Sequence, residues 1–486
     1  MAERSKLYGN GSNVAVEIDL LPLASSTITA PAGCGKTELI ADALRRHSGL
    51  KPILVLTHTN AGVAALRGRL DLARVPASAY RLSTIDGWAI RLVSSFPMRS
   101  QLAASVLEIS SPGADYPAIR AAAHRLLAGS HIRDVLTASY AKLIVDEYQD
   151  CTLQQHDLIC HAADLVPTVL LGDPLQAIFG WRGNEPPDWH AVCARFPIAG
   201  ELKTPWRWKN AGTEDFGRWL LEVRTELQTG NAFDLGAAPK ELQWVHLDGA
   251  DDEAKRREAA RTPAPDAQAK VIILGDNRPA NHQRIASQTP GAITVEAVDL
   301  RDLVSFARQL DFETPDNALQ QVLKFASSLM TNVGETDILN RVAVLARGTA
   351  RTGPSAVESA AIAFQAAPDA KGAANLFSAI SSASGVRTYR TGVLRAVFRA
   401  LSQCDGSPGN TFADAAVRVR EQNRLVGRPL AKRSVGSTLL LKGLEAEVAV
   451  VLYADDMDAR NLYVAMTRGS KKLVVCSRSP SLRPSS

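Results

Sequence analysis

The six cysteines are scattered and form no CxxC pair, which leaves no basis for a disulfide framework or a cysteine-ligated zinc site. Aromatic residues make up 6% of the chain. No uninterrupted apolar run approaches the eighteen or so residues of a membrane span. Glu3, Arg4 and Lys6 stand near the start with no long apolar core behind them, so no signal peptide is expected, and the expected location is cytoplasmic with no membrane partner. The net charge is small: 55 Lys and Arg against 50 Asp and Glu give +5. Such a balance permits a local basic groove but does not by itself argue for a polyanionic partner. Internal repeats and long low-complexity tails are also absent.

What is present is enough for two to four domains: 486 residues, 46% hydrophobic and 22% charged, fit a large globular protein. The chain is organised around Ser26-Thr27-Ile28-Thr29-Ala30-Pro31-Ala32-Gly33-Cys34-Gly35-Lys36-Thr37. Apolar and β-branched residues lead into a turn of small residues, and Leu39, Ile40, Ala43 and Leu44 follow at helical spacing. Strand, tight loop and helix start are the context of a phosphate-binding loop. Gly33 and Gly35 let successive N–H groups converge on one anion. Lys36 would reach the β- and γ-phosphates, and Thr37 would offer its hydroxyl to Mg2+. Residues Ala30 to Thr37 are therefore the candidate nucleotide-binding loop, with Ala30 where the pattern usually has glycine.

Further apolar strands follow at Pro52 to Leu56, Lys142 to Val145 and Thr168 to Leu171. Each ends in a polar loop, respectively Thr57-His58-Thr59-Asn60, Asp146-Glu147-Tyr148-Gln149-Asp150 and Gly172-Asp173-Pro174. Arg81 to Thr84 reads as turn-like, and residues from about 94 to 138 read as a helical insertion. A second set of strands is expected at Lys270 to Leu274, Ala449 to Leu452 and Leu473 to Cys476. Residues from about 300 to 430 between them read as mostly helical, and Asp251 to Arg261 as a solvated helix. Strands alternating with helices argue an α/β fold with parallel sheets and ligands at the strands' carboxyl ends. Asp146 and Glu147 stand about 110 residues after Lys36, where one carboxylate can hold Mg2+ and the other can accept a proton from an attacking water.

These stretches, with those that follow in order, resemble the superfamily 1 DNA helicases of the UvrD/Rep type. Thr57 to Ala61 resembles motif Ia and Ser83 to Trp88 motif Ib. Asp146 to Asp150 and Leu171 to Gly183 resemble motifs II and III. Thr204-Pro205-Trp206-Arg207 resembles motif IV, Lys442-Gly443-Leu444-Glu445 motif V, and Leu462 to Arg468 motif VI. The resemblance implies two RecA-like domains with reduced, mainly helical insertions. The first would span 1–200, with an insertion at about 94–138. The second would combine 201–300 with 430–486, and 301–429 would be a helical insertion.

Carried onto this sequence, the resemblance implies ATP and Mg2+ as cofactors, with Thr37 and Asp146 at the metal. Lys36, Glu147 and Gln176 would serve hydrolysis, joined by Arg207 and Arg468 brought from the second domain. Trp206 would stack on the base, and Gly443 and Glu445 would approach the nucleotide. Thr59, Asn60 and Thr84 would contact a DNA backbone, with Trp181 and Arg182 at an unpaired base. Single-stranded or tailed duplex DNA is the implied partner, and 3′ to 5′ movement the implied activity. A nuclease subunit is a further implied partner, since short helicases of this kind resemble those of nuclease-based phage-defence systems such as Gabija. Four positions depart from the pattern. No glutamine precedes Gln101, where a base-reading one is usual, and Glu38 replaces an arginine. Ser437 and Leu439 stand where Thr and His are usual in motif V.

Overall fold

The computed structural model describes residues 17–129, 132–180, 185–297, 299–423 and 430–485. The chain divides into two compact units, Met1–Asn210 and Ala211–Ser486. The first unit therefore extends ten residues past the boundary expected at 200. The reason is local: a strand at Ile198–Glu201 pairs with the first strand of the chain, and the segment after it packs on the phosphate-binding loop.

The first unit holds a six-stranded, wholly parallel sheet. Its strands are β1 (Ser26–Thr29), β2 (Ile53–Thr57), β3 (Tyr80–Thr84), β4 (Lys142–Val145), β5 (Thr168–Gly172) and β6 (Ile198–Glu201), in the spatial order β3-β2-β4-β5-β1-β6. β2, β4 and β5 are buried along their whole length, which is why they read in the sequence as continuous apolar runs. The register sets Leu56 beside Val145, Val145 beside Leu170, and Leu171 beside Ile28. Four strands thus end at one level, and the polar loops of β1, β2, β4 and β5 leave the sheet side by side. The stretch Arg81 to Thr84, read as turn-like, is instead the body of β3. As an edge strand it is only half-buried, so its polar alternation hides it.

Helices α1 (Lys36–Arg46), α2 (Asn60–Leu72) and α3 (Ile85–Ser95) follow β1, β2 and β3. The inserted segment that follows α3 is helical, chiefly at Pro112–Ala128 and Arg133–Ser139. Its Ile119, Ala122, Leu126 and Leu127 join Trp88, Leu92, Leu143 and Val145 in one apolar core. The insertion is thus part of the unit's own core rather than an appendage.

The second unit opens with a helix at Glu214–Thr229, followed by β7 (Phe233–Asp234), and carries another six-stranded parallel sheet. Its strands are β8 (Leu242–His246), β9 (Val271–Leu274), β10 (Ala292–Thr294), β13 (Arg433–Gly436), β14 (Ala446–Val451) and β15 (Gly469–Ser477), ordered β10-β13-β9-β14-β15-β8. β7 pairs antiparallel with β16 (Ser481–Leu482), and β11 (Met330–Thr331) pairs antiparallel with β12 (Arg387–Thr388). Two parallel sheets bear out the α/β fold class. The solvated helix expected at Asp251 to Arg261 runs over Asp252–Ala260, but its last turn is buried, with Ala259 and Ala260 in the core.

Between β10 and β13 a helical body folds around its own apolar core, in which Phe306, Phe325, Phe377 and Phe412 interlock. One buried residue ties that body to the sheet. Arg390 is 3% exposed and donates to both carboxylate oxygens of Glu296 at 2.7 and 2.9 Å, and to Asp302 at 2.7 Å. Burial alone would lower its pKa, but the two carboxylates outweigh that and hold it above the ordinary arginine value. Arg387 adds donations to the carbonyls of Ala286, Ser287 and Ala292. Removing one partner of a buried pair strands the other's charge. Arg390→Met is therefore expected to destabilise the second unit by about 3 kcal/mol. Asp302→Asn, at the exposed end of the cluster, should cost under about 1 kcal/mol. Urea unfolding curves of the two variants check both; equal midpoints would refute the assignment.

Candidate nucleotide-binding site

The loop after β1 is closed by backbone geometry. The N–H of Ala30 donates to the Gly172 carbonyl at 2.9 Å, and that of Cys34 to the Pro31 carbonyl at 3.2 Å. Gly33 and Gly35 take left-handed conformations, with φ of +74° and +86°. Gly35 caps α1 without any side-chain hydrogen bond. The first N–H groups of the helix, with the positive end of its dipole, are thus left to an anion. Glycine is required for space as well as for φ. A Cβ on Gly33 would lie 2.5 Å from the Trp208 ring, and one on Gly35 would lie 2.8 Å from the Trp206 ring.

The charged centre sits between α1 and β4. The Lys36 ammonium lies 3.1 Å from Asp146 Oδ1 and forms a second ion pair with Glu147. Lys36 and Asp146 side chains are 13% and 10% exposed, and Glu147 is 34% exposed. Burial alone would push the Lys36 pKa down, but the two carboxylates hold it above its ordinary value. Asp146 is moved the other way for a carboxylate: burial raises it, Lys36 opposes, Glu147 adds repulsion, and the net is upward. A buried carboxylate held at this cost is a hard oxygen ligand suited to a divalent cation. With the Thr37 hydroxyl it is a donor set that fits Mg2+. Among the described residues no cluster of three or more His, Cys, Asp or Glu could hold a metal.

Glu147 has φ +54°, a left-handed conformation rarely adopted outside glycine and asparagine. Its N–H donates to Asp146 Oδ1 at 3.0 Å, and its carboxylate accepts from Gln149 Nε2 at 2.6 Å. The Gln149 carbonyl oxygen accepts from the Asp173 N–H at 3.1 Å. The Asp173 carboxylate in turn accepts from Gln176 Nε2 at 3.1 Å. A continuous chain of hydrogen bonds therefore runs from Lys36 through Glu147 and Gln149 to Asp173 and Gln176. Gln149 is a link the sequence reading did not single out, although it lies within the quoted motif.

One placement differs from expectation. Arg207 was expected on the second domain, but it lies in the first unit, and its N–H donates to the Gly33 carbonyl at 3.0 Å. Trp206 and Trp208 flank it on the same short helix, Trp206–Ala211, one over each loop glycine. Trp208, which sequence reasoning missed, is 1% exposed and forms the floor under Gly33. Thr59 and Thr84 cap α2 and α3, accepting from the N–H groups of Gly62 and Gly87 at 3.0 and 2.9 Å. Asn60 is the first residue of α2 and is exposed. Trp181 and Arg182 lie outside the described residues.

Behind those caps a polar network joins the β2 and β3 loops. Gln155 Oε1 accepts from the Thr152 N–H and meets His58 Nδ1 at 3.2 Å, so that nitrogen carries the hydrogen. Gln155 Nε2 donates to Asp86 at 3.2 Å, and Arg120 of the inserted helix makes a two-pronged pair with Asp86 at 2.7 Å. None of His58, Asp86, Arg120 or Gln155 was singled out from sequence; they are scattered along the chain and converge only in the fold.

In the second unit, Gly443 has φ +78° and Glu445 is exposed. Arg468 is 3% exposed; its guanidinium donates to the carbonyls of Val464 at 2.7 Å and Leu444 at 3.4 Å, and to the Thr467 hydroxyl at 3.0 Å. Ser437 caps a helical turn through the Leu440 N–H, and Leu439 is exposed.

Residues 111–196, which include Asp146, Glu147 and Gln176, match the family model of the UvrD/REP helicase N-terminal domain. The resemblance read from the motifs is borne out there. Over 62 residues the chain is 34% identical to the Gabija protein GajB of Bacillus cereus (strain VD045), covering 12% of this chain and 13% of that protein. Over 61 residues it is 39% identical to a probable DNA helicase of Mycoplasma pneumoniae (strain ATCC 29342 / M129 / Subtype 1), covering 12% of each. The aligned stretch thus spans about an eighth of either curated relative. The solved complex of arterivirus nonstructural protein 10, a helicase, with DNA is similar over 94% of this chain and 63% of its own, at 10% identity and TM-score 0.35. That likeness is too slight to carry the fold, which the two sheets define.

Two glycines test the site's packing. Gly33→Ala adds both a steric clash and a forbidden φ, and should lower stability by about 1–3 kcal/mol. At Gly68, inside α2, a Cβ meets nothing within 4 Å, so Gly68→Ala should raise stability by about 0.5–1 kcal/mol. Thermal unfolding of both variants measures the contrast, and shifts of the same sign would contradict it.

Proposed function

We propose that this chain is an ATP-dependent DNA helicase or translocase that uses Mg2+ and moves 3′ to 5′ along a single strand, in DNA repair or phage defence. The supporting observation is the pairing of Lys36 with Asp146 and Glu147 at the ends of β1 and β4, tied by hydrogen bonds to Gln176. In this reading the loop Ala30 to Thr37 wraps the phosphates with N–H groups, and Lys36 turns from the carboxylates to the β- and γ-phosphates. Mg2+, held by Thr37 and Asp146, supplies charge neutralisation on the phosphate oxygens.

Glu147 takes the proton of the attacking water. Its left-handed backbone aims the carboxylate, and Gln149 holds one of its oxygens. Arg207, anchored at Gly33, stabilises charge building on the transferred phosphoryl group. Trp206 offers a flat face to the base. Arg468, Gly443 and Glu445 of the second unit keep the roles that the motif resemblance implies. Gln176 reports the state of the Glu147 carboxylate, through Asp173 and Gln149, toward the DNA-contacting loops. There, Thr59 and Thr84 can accept from their helix N–H groups and still donate a hydroxyl hydrogen to a DNA phosphate. Such contacts position a strand without reading its sequence. Trp181 and Arg182 are proposed to stack on its bases.

The similarity to GajB favours a second reading, an NTPase subunit of a nuclease complex with little unwinding of its own. Strand displacement on a tailed duplex separates the two: unwinding by the chain alone supports the first reading. Silence relieved only by an added nuclease subunit supports the second. Both share one test. Lys36→Ala should abolish nucleotide hydrolysis, and Glu147→Gln should reduce it by a factor of about 10²–10⁴ while nucleotide binding persists. DNA-stimulated hydrolysis surviving in Lys36→Ala would sink the proposal.

A further inference from the structure

A second basic cavity lies in the first unit, at the free edge of its sheet, away from Lys36. It measures about 270 Å³, and its lining includes Arg67, Arg81, Arg91, Tyr80, Tyr140 and Trp88. Arg67 comes from α2, Trp88 and Arg91 from α3, and Arg81 from β3, so secondary structure fixes the position of each. Consecutive residues of β3 point to opposite faces of the sheet, yet Tyr80 through Ser83 all line the cavity. It therefore follows the edge itself. It reaches the amino-terminal half of the strands, at Tyr80 and at Leu54 opposite Arg81. The capping residues Thr59 and Thr84 do not line it.

The chemistry of the lining is one-sided. Three arginines, two tyrosines and Ser83 are among the lining residues, and no Asp or Glu of the described residues lines the cavity. Arg67 and Arg91 have no hydrogen-bond or ion-pair partner among the described residues. Arg81 is braced by donating to the carbonyls of Ala77 and Tyr80 at 3.2 and 2.9 Å. Asp86, in the first turn of α3, is already taken by Arg120 and Gln155. Trp88 is 2% exposed, and its indole N–H is buried with no hydrogen-bond partner among the described residues. A buried donor left unsatisfied is costly, a cost that an acceptor entering the cavity would relieve. Guanidinium forks match the paired oxygens of a phosphate, and the tyrosine rings can cover an attached sugar or base.

We propose that this cavity is a phosphate-binding site separate from the nucleotide-binding loop, taking the phosphate of a free nucleotide or of a nucleic-acid strand. The site lies near the small end of the usual range for ligand pockets, which suits one phosphate with a single attached group.

The test uses the full chain carrying Lys36→Ala, so that the loop does not compete, and inorganic pyrophosphate as probe in equilibrium dialysis. Binding should persist in that background and fall at least tenfold when Arg67→Gln and Arg91→Gln are added. Trp88→Phe, which keeps the ring and removes the donor, should weaken it severalfold. Arg69→Gln with Arg74→Gln removes the same charge outside the lining and should leave binding unchanged. Equal affinities in the Arg67/Arg91 variant and its parent overturn the proposal, and so do equal losses from the two arginine pairs. Thymidine 5′-monophosphate and a single-stranded oligothymidylate then distinguish the source. Loss confined to the mononucleotide assigns a free nucleotide, and loss confined to the oligomer assigns a strand. With Lys36 restored, unchanged hydrolysis without nucleic acid shows that the Arg67/Arg91 variant is folded.

Discussion

The Lys36 ammonium, held between Asp146 and Glu147, is the interaction on which the first unit is arranged. Two carboxylates and one ammonium in a largely buried space leave a local surplus of negative charge. Burial itself disfavours the charged carboxylate, and Glu147 adds like-charge repulsion; together these outweigh Lys36, which is why the Asp146 pKa is driven up rather than down. The arrangement persists because everything around it is positive or donating. The dipole of α1 places positive charge at the Lys36 end of its helix, the Glu147 N–H donates to Asp146 Oδ1, and the Gln149 amide takes the second carboxylate oxygen of Glu147. A cation of higher charge held among these oxygens would offset the repulsion between the two carboxylates. The same centre is thus suited to exchange one positive partner for another.

Rigidity follows from how the centre is built. Glu147 occupies a left-handed backbone position that costs about 1–3 kcal/mol for such a residue. Strain of this size survives only if neighbours fix both ends of it, and they do. Asp146 is anchored by its N–H to the Leu56 carbonyl, and Gln149 ties Glu147 to the loop after β5. Gly172 permits that tie, since a Cβ there would lie 2.9 Å from the Gln149 oxygen and 2.8 Å from Trp189. On the far side, Trp208 and Trp206 close on Gly33 and Gly35, the two loop positions with no side chain to fill the space.

Most central strands and the loops at their ends were legible because burial on both faces makes a strand apolar, and because phosphate chemistry restricts a loop to few residue types. Arg433–Gly436 is the inner strand that was missed, since arginine, serine and glycine make up most of it. The four edge strands were not legible either. Tyr80–Thr84, Ile198–Glu201, Leu242–His246 and Ala292–Thr294 flank their sheets, and the first three are largely half-buried or exposed. Half-solvated strands carry arginine, glutamate and histidine, and local pattern then resembles a turn. The boundary between the units was displaced for the same reason, since Ile198–Glu201 is one of these edges. Within the site, Lys36, Asp146 and Glu147 declared themselves by type and spacing. Gln149, Gln155, Arg120 and Trp208 did not, because what matters in each is a contact made across tens of residues.

Thr59 and Thr84 show where sequence and structure assign one residue two meanings. As helix caps they belong to local structure, and a hydroxyl oxygen accepting from an N–H two or three positions on would be found in any protein. As phosphate contacts they would belong to function. The two are compatible because a hydroxyl has a hydrogen to give after its lone pair is used. Placement settles what each can reach. Thr84 ends β3 and Thr59 lies two residues past the end of the adjacent parallel β2, with Thr57 beside Thr84 in register, so two helix N-termini open from one edge of the sheet. The His58–Gln155–Asp86–Arg120 network locks these two starts to each other and to the inserted helix. A strand passing across both would meet donors whose spacing is fixed by the distance between neighbouring β-strands rather than by flexible side chains. Capping, on this argument, is the means by which the loops hold their donors still.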